Sequence, residues 1–104
     1  MDSHKKVTYG DLFSVNVFAM WHIYILYSAS RKIYYVGFTG DDLQERLRRH
    51  NSNHKGFTGS ANDWKIVHTE SYQTKSEAQG REKQIKNWKS RKKVERLIGL
   101  EHSD

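Results

Sequence analysis

Two helical segments place ionisable groups where apolar ones belong. From Leu43 to His50, the positions i, i+3, i+4 and i+7 are Leu43, Arg46, Leu47 and His50, so two of four core-facing places hold polar or charged side chains. A second segment repeats the conflict. At about 100° per residue, Glu82 falls close to Ala78 and Ile85, which with Trp88 should form the buried face. A carboxylate on such a face is costly to desolvate unless it holds a metal ion or a basic partner, and Arg46 is a candidate for that partner. The metal would bring Lewis-acid chemistry; the ion pair would be architecture alone. Conflicts of this kind also mark functional sites.

An earlier segment is dense in phenols, at Tyr24, Tyr27, Tyr34 and Tyr35, although most strand aromatics simply fill a core. Gly37, inside a strand pattern, permits close approach of a ligand or of another side chain. Eight basic residues fall between Arg81 and Arg96, namely Arg81, Lys83, Lys86, Lys89, Arg91, Lys92, Lys93 and Arg96, with Arg48 and Arg49 adding to them. A solvated helix face is one explanation for the run; the interleaved Asn87 and Trp88 favour the other, contact with a phosphate backbone. Lys55, in a polar segment, is placed to join it. His50 and His54 have the spacing of some zinc ligands, yet no cysteine or nearby acid completes a set.

These residues need elements to position them. The β-branched and aromatic runs His22–Tyr27 and Ile33–Phe38, separated by a polar break, predict an antiparallel hairpin. Gly40, Asp41 and Asp42 interrupt it, and Leu43–His50 takes helical spacing with an acidic start and a basic end that suit the helix dipole. Asn51–Asp63 is read as a loop and Trp64–Tyr72 as a third strand. Thr74 and Glu77 make a capping box for a second helix ending near Trp88. Ser90 offers a further cap, and Val94, Leu97 and Ile98 form the stripe of a short last helix. The predicted order is β-β-α-β-α-α, an α+β fold in which a small, mainly antiparallel three-stranded sheet is flanked by helices.

The chain has 104 residues, enough for one domain with a modest core. Residues 1–20 are read as an N-terminal extension, an edge strand or a tail, with Met20 as a possible natural start; 21–99 form the domain and 100–104 a C-terminal tail. No cysteine is present, so neither disulfides nor thiolate metal sites support the fold. The 18 Lys and Arg against 12 Asp and Glu give a net charge of +6 and a pI near 9.6, which favours a polyanionic partner, nucleic acid first. No stretch approaches the roughly 20 apolar residues of a membrane span, and Asp11 and Asn16 sit where a secretory core should be apolar. A soluble, intracellular, cytoplasmic protein without a membrane partner is expected.

Four short motifs in order resemble the GIY-YIG nuclease superfamily, in particular its small single-domain members, over roughly residues 22–98. His22-Ile23-Tyr24 is similar to the first signature and Tyr35-Val36-Gly37 to the second. Arg46-Leu47-Arg48-Arg49-His50-Asn51 resembles the helix carrying the family's arginine, and Arg81-Glu82 followed by Ile85-Lys86 the segment with its metal-binding glutamate. His22 replaces the first signature's glycine, Val36 replaces an isoleucine, and the Phe38–Asp42 loop is about one residue longer than in some relatives. An asparagine found after the glutamate in some members has no clear counterpart, Asn87 included.

The resemblance implies a metal-dependent endonuclease acting on DNA, with RNA also open, and the same three-stranded fold. It implies Glu82 as the ligand of Mg²⁺ or Mn²⁺ and Arg46 as the donor to the pentacovalent phosphate. Tyr24 or Tyr35 would position the attacking water, with His50 an alternative general base. A phenol with its ordinary pKa of about 10 needs the field of the metal or a phenolate-stabilising neighbour to act as base. Gly37, Arg48, Arg49, Lys55, Lys86, Lys89, Arg91, Lys92 and Lys93 are the expected nucleic-acid contacts. A lone domain with this few contacts points to a homodimer or a partner protein for specificity. A non-catalytic nucleic-acid-binding module of the same fold is the alternative, and structure-selective cutting in repair or recombination the finer form of the first reading.

Overall fold

The computed structural model of the chain describes residues 20–52 and 54–102. The expectations for residues 1–19 lie outside that range. Strand β1 (Trp21–Ser28) pairs antiparallel with β2 (Ile33–Thr39) on one side and β3 (Trp64–Tyr72) on the other, giving the sheet order β2-β1-β3. Helix α1 (Leu43–His50) follows β2, and α2 (Lys75–Trp88) and α3 (Arg91–His102) follow β3. The predicted α+β architecture and element order hold. Strands β1 and β2 extend past their predicted ends by a residue, and α3 continues to His102, beyond Gly99.

Each helix start is explained by a side chain that accepts a free backbone donor. Asp42 accepts from the Glu45 N–H at 2.9 Å, Thr74 and Glu77 form the reciprocal capping box, and Ser90 Oγ accepts from the Lys93 N–H at 3.1 Å. Lys89 ends α2 in the left-handed region at φ 48°, which turns the chain into α3. The Asn51–Asp63 segment is not an open loop throughout. A 3₁₀ turn occupies Phe57–Ser60, where Thr58 is buried and its carbonyl accepts from the Trp64 indole N–H at 2.8 Å. Two-residue periodicity and turn composition carry no signal for so short a turn.

Alternation along the strands divides the sheet into two faces. Ile23 and Ile25 face α2 and α3, packing with Ile85, Val94, Trp88, Leu97 and Ile98. Tyr24 and Leu26 face the other way, with Trp64, Leu43 and Leu47 around them. A register shift between Ile25 and Leu26 leaves Val67 as the extra residue of β3. Through it β3 places Trp64 and Ile66 on the α1 face but His68, Glu70 and Tyr72 on the α2 side.

Candidate active site

Register begins the site. Tyr24 lies opposite Gly37, and a Cβ added to Gly37 would stand 2.6 Å from Tyr24 Oη and 2.7 Å from its Cζ. What passes over Gly37 is therefore a side chain: the missing methyl makes room for the phenol to lie across β2. Helix α1 docks through Leu43 and Leu47, which carries His50, in its last turn, to the same phenol. Tyr24 Oη and His50 Nε2 are 2.8 Å apart, and the Tyr35 ring lies 4.9 Å from the imidazole and 6.3 Å from the Tyr24 ring.

The chain of contacts continues behind His50. Its Nδ1 meets Thr58 Oγ1 at 2.7 Å, the same oxygen meets His54 Nε2 at 3.0 Å, and the Gly56 backbone N–H donates to His54 Nδ1 at 2.9 Å. Phe57, on the same 3₁₀ turn, is 61 % exposed yet stacks its inner face on Tyr35 at 6.2 Å.

Charges reach the phenol from three elements. Burial raises the Tyr24 pKa above the ordinary tyrosine value, the Arg46 guanidinium beside it acts in the opposite direction, and Tyr35 and Glu82 add to the rise. Burial pushes His50 down to about 4, helped by the charge of Arg46 and by His54, so the imidazole is neutral at pH 7. Arg46 Nε is buried without a hydrogen-bond partner among the described residues. Such a donor is rare in a folded protein. The arginine also lines an open cleft of about 460 Å³ together with Trp21, Thr39, Asp41 and Lys75.

Glu82 is 14 % exposed on the sheet-facing side of α2, near the buried Ala78 and Ile85. Its ion pair is with Lys86, one turn on, at 3.0 Å, and not with Arg46 as the architectural reading of the sequence had it. Lys86 Nζ in turn lies 5.8 Å over the Tyr35 ring. A partly buried structural ion pair lies elsewhere. Glu70 of β3 accepts from Arg81 Nε at 2.9 Å and Nη2 at 3.1 Å, as well as from Tyr72 Oη at 2.7 Å, so Arg81 is bound into the fold. Among the described residues no group of three or more His, Asp or Glu side chains is placed to hold a metal ion. Glu82 alone is a fitting ligand for a hard divalent cation, which keeps most of its waters and takes one or two carboxylates with substrate phosphate.

The expected phosphate contacts divide into two sets. Arg48 and Arg49 are tied to Glu45, Lys86 to Glu82, and Arg91 to Glu95 and to the Lys32 carbonyl at 2.7 Å. Lys55, Lys89, Lys92 and Lys93 are exposed and form no ion pair among the described residues. Sequence reasoning missed Thr58 and Phe57 altogether and weighed His54 only as a zinc ligand. Their segment has the composition of a connector, and only folding brings it against His50.

A sequence model of the GIY-YIG catalytic domain matches residues 20–95. A UPF0213 protein of Halobacterium salinarum is 38 % identical over 68 residues, a span of 64 % of this chain and 86 % of that one. No solved structure matches.

Proposed function

Because the chain belongs to the GIY-YIG catalytic domain family, nuclease chemistry is the premise, and we propose that it is a divalent-metal-dependent endonuclease hydrolysing phosphodiester bonds in DNA. Selection of a DNA structure during repair or recombination is the form of that activity we favour, since one small domain offers few side chains to read base edges. One observation carries the reading. The Arg46 guanidinium and the carboxylate of Glu82 both act on the Tyr24 phenol, and Arg46 Nε is buried with no hydrogen-bond partner among the described residues.

Arg46 presents forked donors to the oxygens of the pentacovalent phosphate, where negative charge grows as the bond breaks. Tyr24, with Tyr35 beside it, orients the attacking water; at neutral pH it is a phenol, since burial raises its pKa. His50 reaches a water only through Tyr24, because its other nitrogen is taken by Thr58. Glu82 would hold Mg²⁺ or Mn²⁺, and Lys86, half-exposed and flexible, would release the carboxylate to it. When bound, the cation supplies positive charge that polarises the phosphate and lowers the pKa of water. Lys55, Lys89, Lys92 and Lys93 supply phosphate contacts that position without reading sequence.

The test is cleavage of linear, nicked, flapped and branched DNA by the purified protein with Mg²⁺, Mn²⁺ or EDTA, with Glu82→Ala beside it. We expect metal-dependent cutting that is abolished in the variant while DNA binding stays largely intact. Unchanged cutting by Glu82→Ala would remove the metal-site assignment. The Lys86–Glu82 pair favours one second reading, a nucleic-acid-binding module in which the carboxylate is already neutralised. Salt-sensitive binding with no cutting of any substrate would establish it.

A further inference from the structure

The hydrogen bonds leading to Tyr24 have a direction, set at their far end. The Gly56 backbone N–H lies 2.9 Å from His54 Nδ1, and a backbone amide can only donate, so that nitrogen bears no hydrogen. His54 thus has its hydrogen on Nε2, which donates to Thr58 Oγ1 at 3.0 Å. Thr58 is 3 % exposed, and among the described residues its hydroxyl oxygen meets only His54 Nε2 and His50 Nδ1. The hydroxyl has one hydrogen to give. With His54 acting as donor, that hydrogen goes to His50 Nδ1 at 2.7 Å. His50 is left with its hydrogen on Nε2, aimed at Tyr24 Oη 2.8 Å away.

We infer that His54 and Thr58 are positioning residues, which fix His50 in the Nε2–H form and so hold the Tyr24 oxygen as an acceptor with its own hydrogen turned away. The use of this arrangement rests on the nuclease reading. The phenol hydrogen is left for an acceptor other than His50, on that reading a phosphate oxygen or the attacking water, and a phenolate is met by the His50 N–H and the Arg46 guanidinium together. In this form His50 cannot take the proton of Tyr24. The loop is built to keep the order: a Cβ on Gly59 would collide with the His54 carbonyl oxygen, so the chain closes over His54 where glycine alone fits.

Long-range ¹H–¹⁵N spectra of the full chain at pH 7 without added metal report which nitrogen of each of the six histidines carries hydrogen. His50→Gln and His54→Gln supply the assignments. Both residues should show a protonated Nε2 and a bare Nδ1. Thr58→Val should move His50 toward the Nδ1–H form, and Thr58→Ser should keep it unchanged. In cleavage, Thr58→Val should lower kcat by roughly ten- to a hundredfold with KM for DNA unchanged, and Thr58→Ser should stay near the parent. A parent protein with His50 in the Nδ1–H form overturns the inference, as does Thr58→Val with an unaltered kcat. If the parent cuts no DNA with any metal, the nuclease reading falls by itself, and the spectra still decide the form of His50.

Discussion

Gly37 shows how one absent methyl places a phenol. The position is buried, its neighbour across the sheet is Tyr24, and the phenol occupies the space a Cβ would need, 2.6 Å from its oxygen. Gly37→Ala should therefore act on catalysis more than on substrate contact. The Tyr24 ring must move off His50 or the strands must part, and overpacking of this kind costs about 1–3 kcal/mol. We expect a fall in kcat of about a hundredfold, the size that a displacement of about 1 Å in a reacting group produces, with KM for DNA little changed. A rise in KM at constant kcat would show instead that Gly37 serves by letting the substrate approach its backbone. The same scale explains what the sequence made legible. Arg46, His50 and Glu82 stood out because charge broke an apolar stripe, and the fold brings all three to bear on the Tyr24 environment. Thr58 broke no pattern, and its role depends on a contact across eight residues of irregular chain.

Between elements, the ion pair that matters is the one joining β3 to α2. Glu70 is largely buried, which alone would raise its pKa, but hydrogen bonds from Arg81, His68 and Tyr72 win and hold it at about 2. A folded pKa below the ordinary 4.5 means that ionised Glu70 stabilises the protein above about pH 4.5 and that this contribution is lost as pH falls toward 2. The shift corresponds to roughly 3 kcal/mol at most. Glu70→Gln, which leaves Arg81 unpaired, should be clearly less stable than the parent at pH 7, and the gap in urea midpoint should close between about pH 5 and 2. A gap independent of pH would place the stabilisation in packing. At this scale the sequence was legible for strands and helices, because alternation, capping boxes and dipole-suited charges are local. It was not legible for the pairing of charges: Arg81 looked like part of a basic run, and Arg46 looked like the partner of Glu82. Which acid meets which base depends on the bulge at Val67, which turns Glu70 toward α2, and no local pattern announces it.

Over the whole molecule, the net charge of +6 overstates the surface offered to a polyanion. Arg48, Arg49, Arg81, Lys86 and Arg91 are each committed to a carboxylate, and Arg91 also fastens α3 to the β1–β2 turn through the Lys32 carbonyl and to β2 through the Tyr34 ring. Among the described residues no helix is long and apolar enough to cross a membrane. Three of the lysines that form no ion pair among the described residues, Lys89, Lys92 and Lys93, cluster where α2 gives way to α3. If these make the phosphate contacts, the logarithm of DNA affinity should fall linearly with the logarithm of salt concentration, and replacing all three by alanine should flatten the slope by about 0.9 per lost duplex contact. The loss in affinity should be uniform across DNA sequences, since phosphate contacts carry no base information. Replacing Arg48 and Arg49 should flatten it less, because Glu45 already neutralises part of their charge. An unchanged slope in the triple variant, with a flattened one in the arginine pair, would move the DNA track from the α2–α3 junction to the outer face of α1.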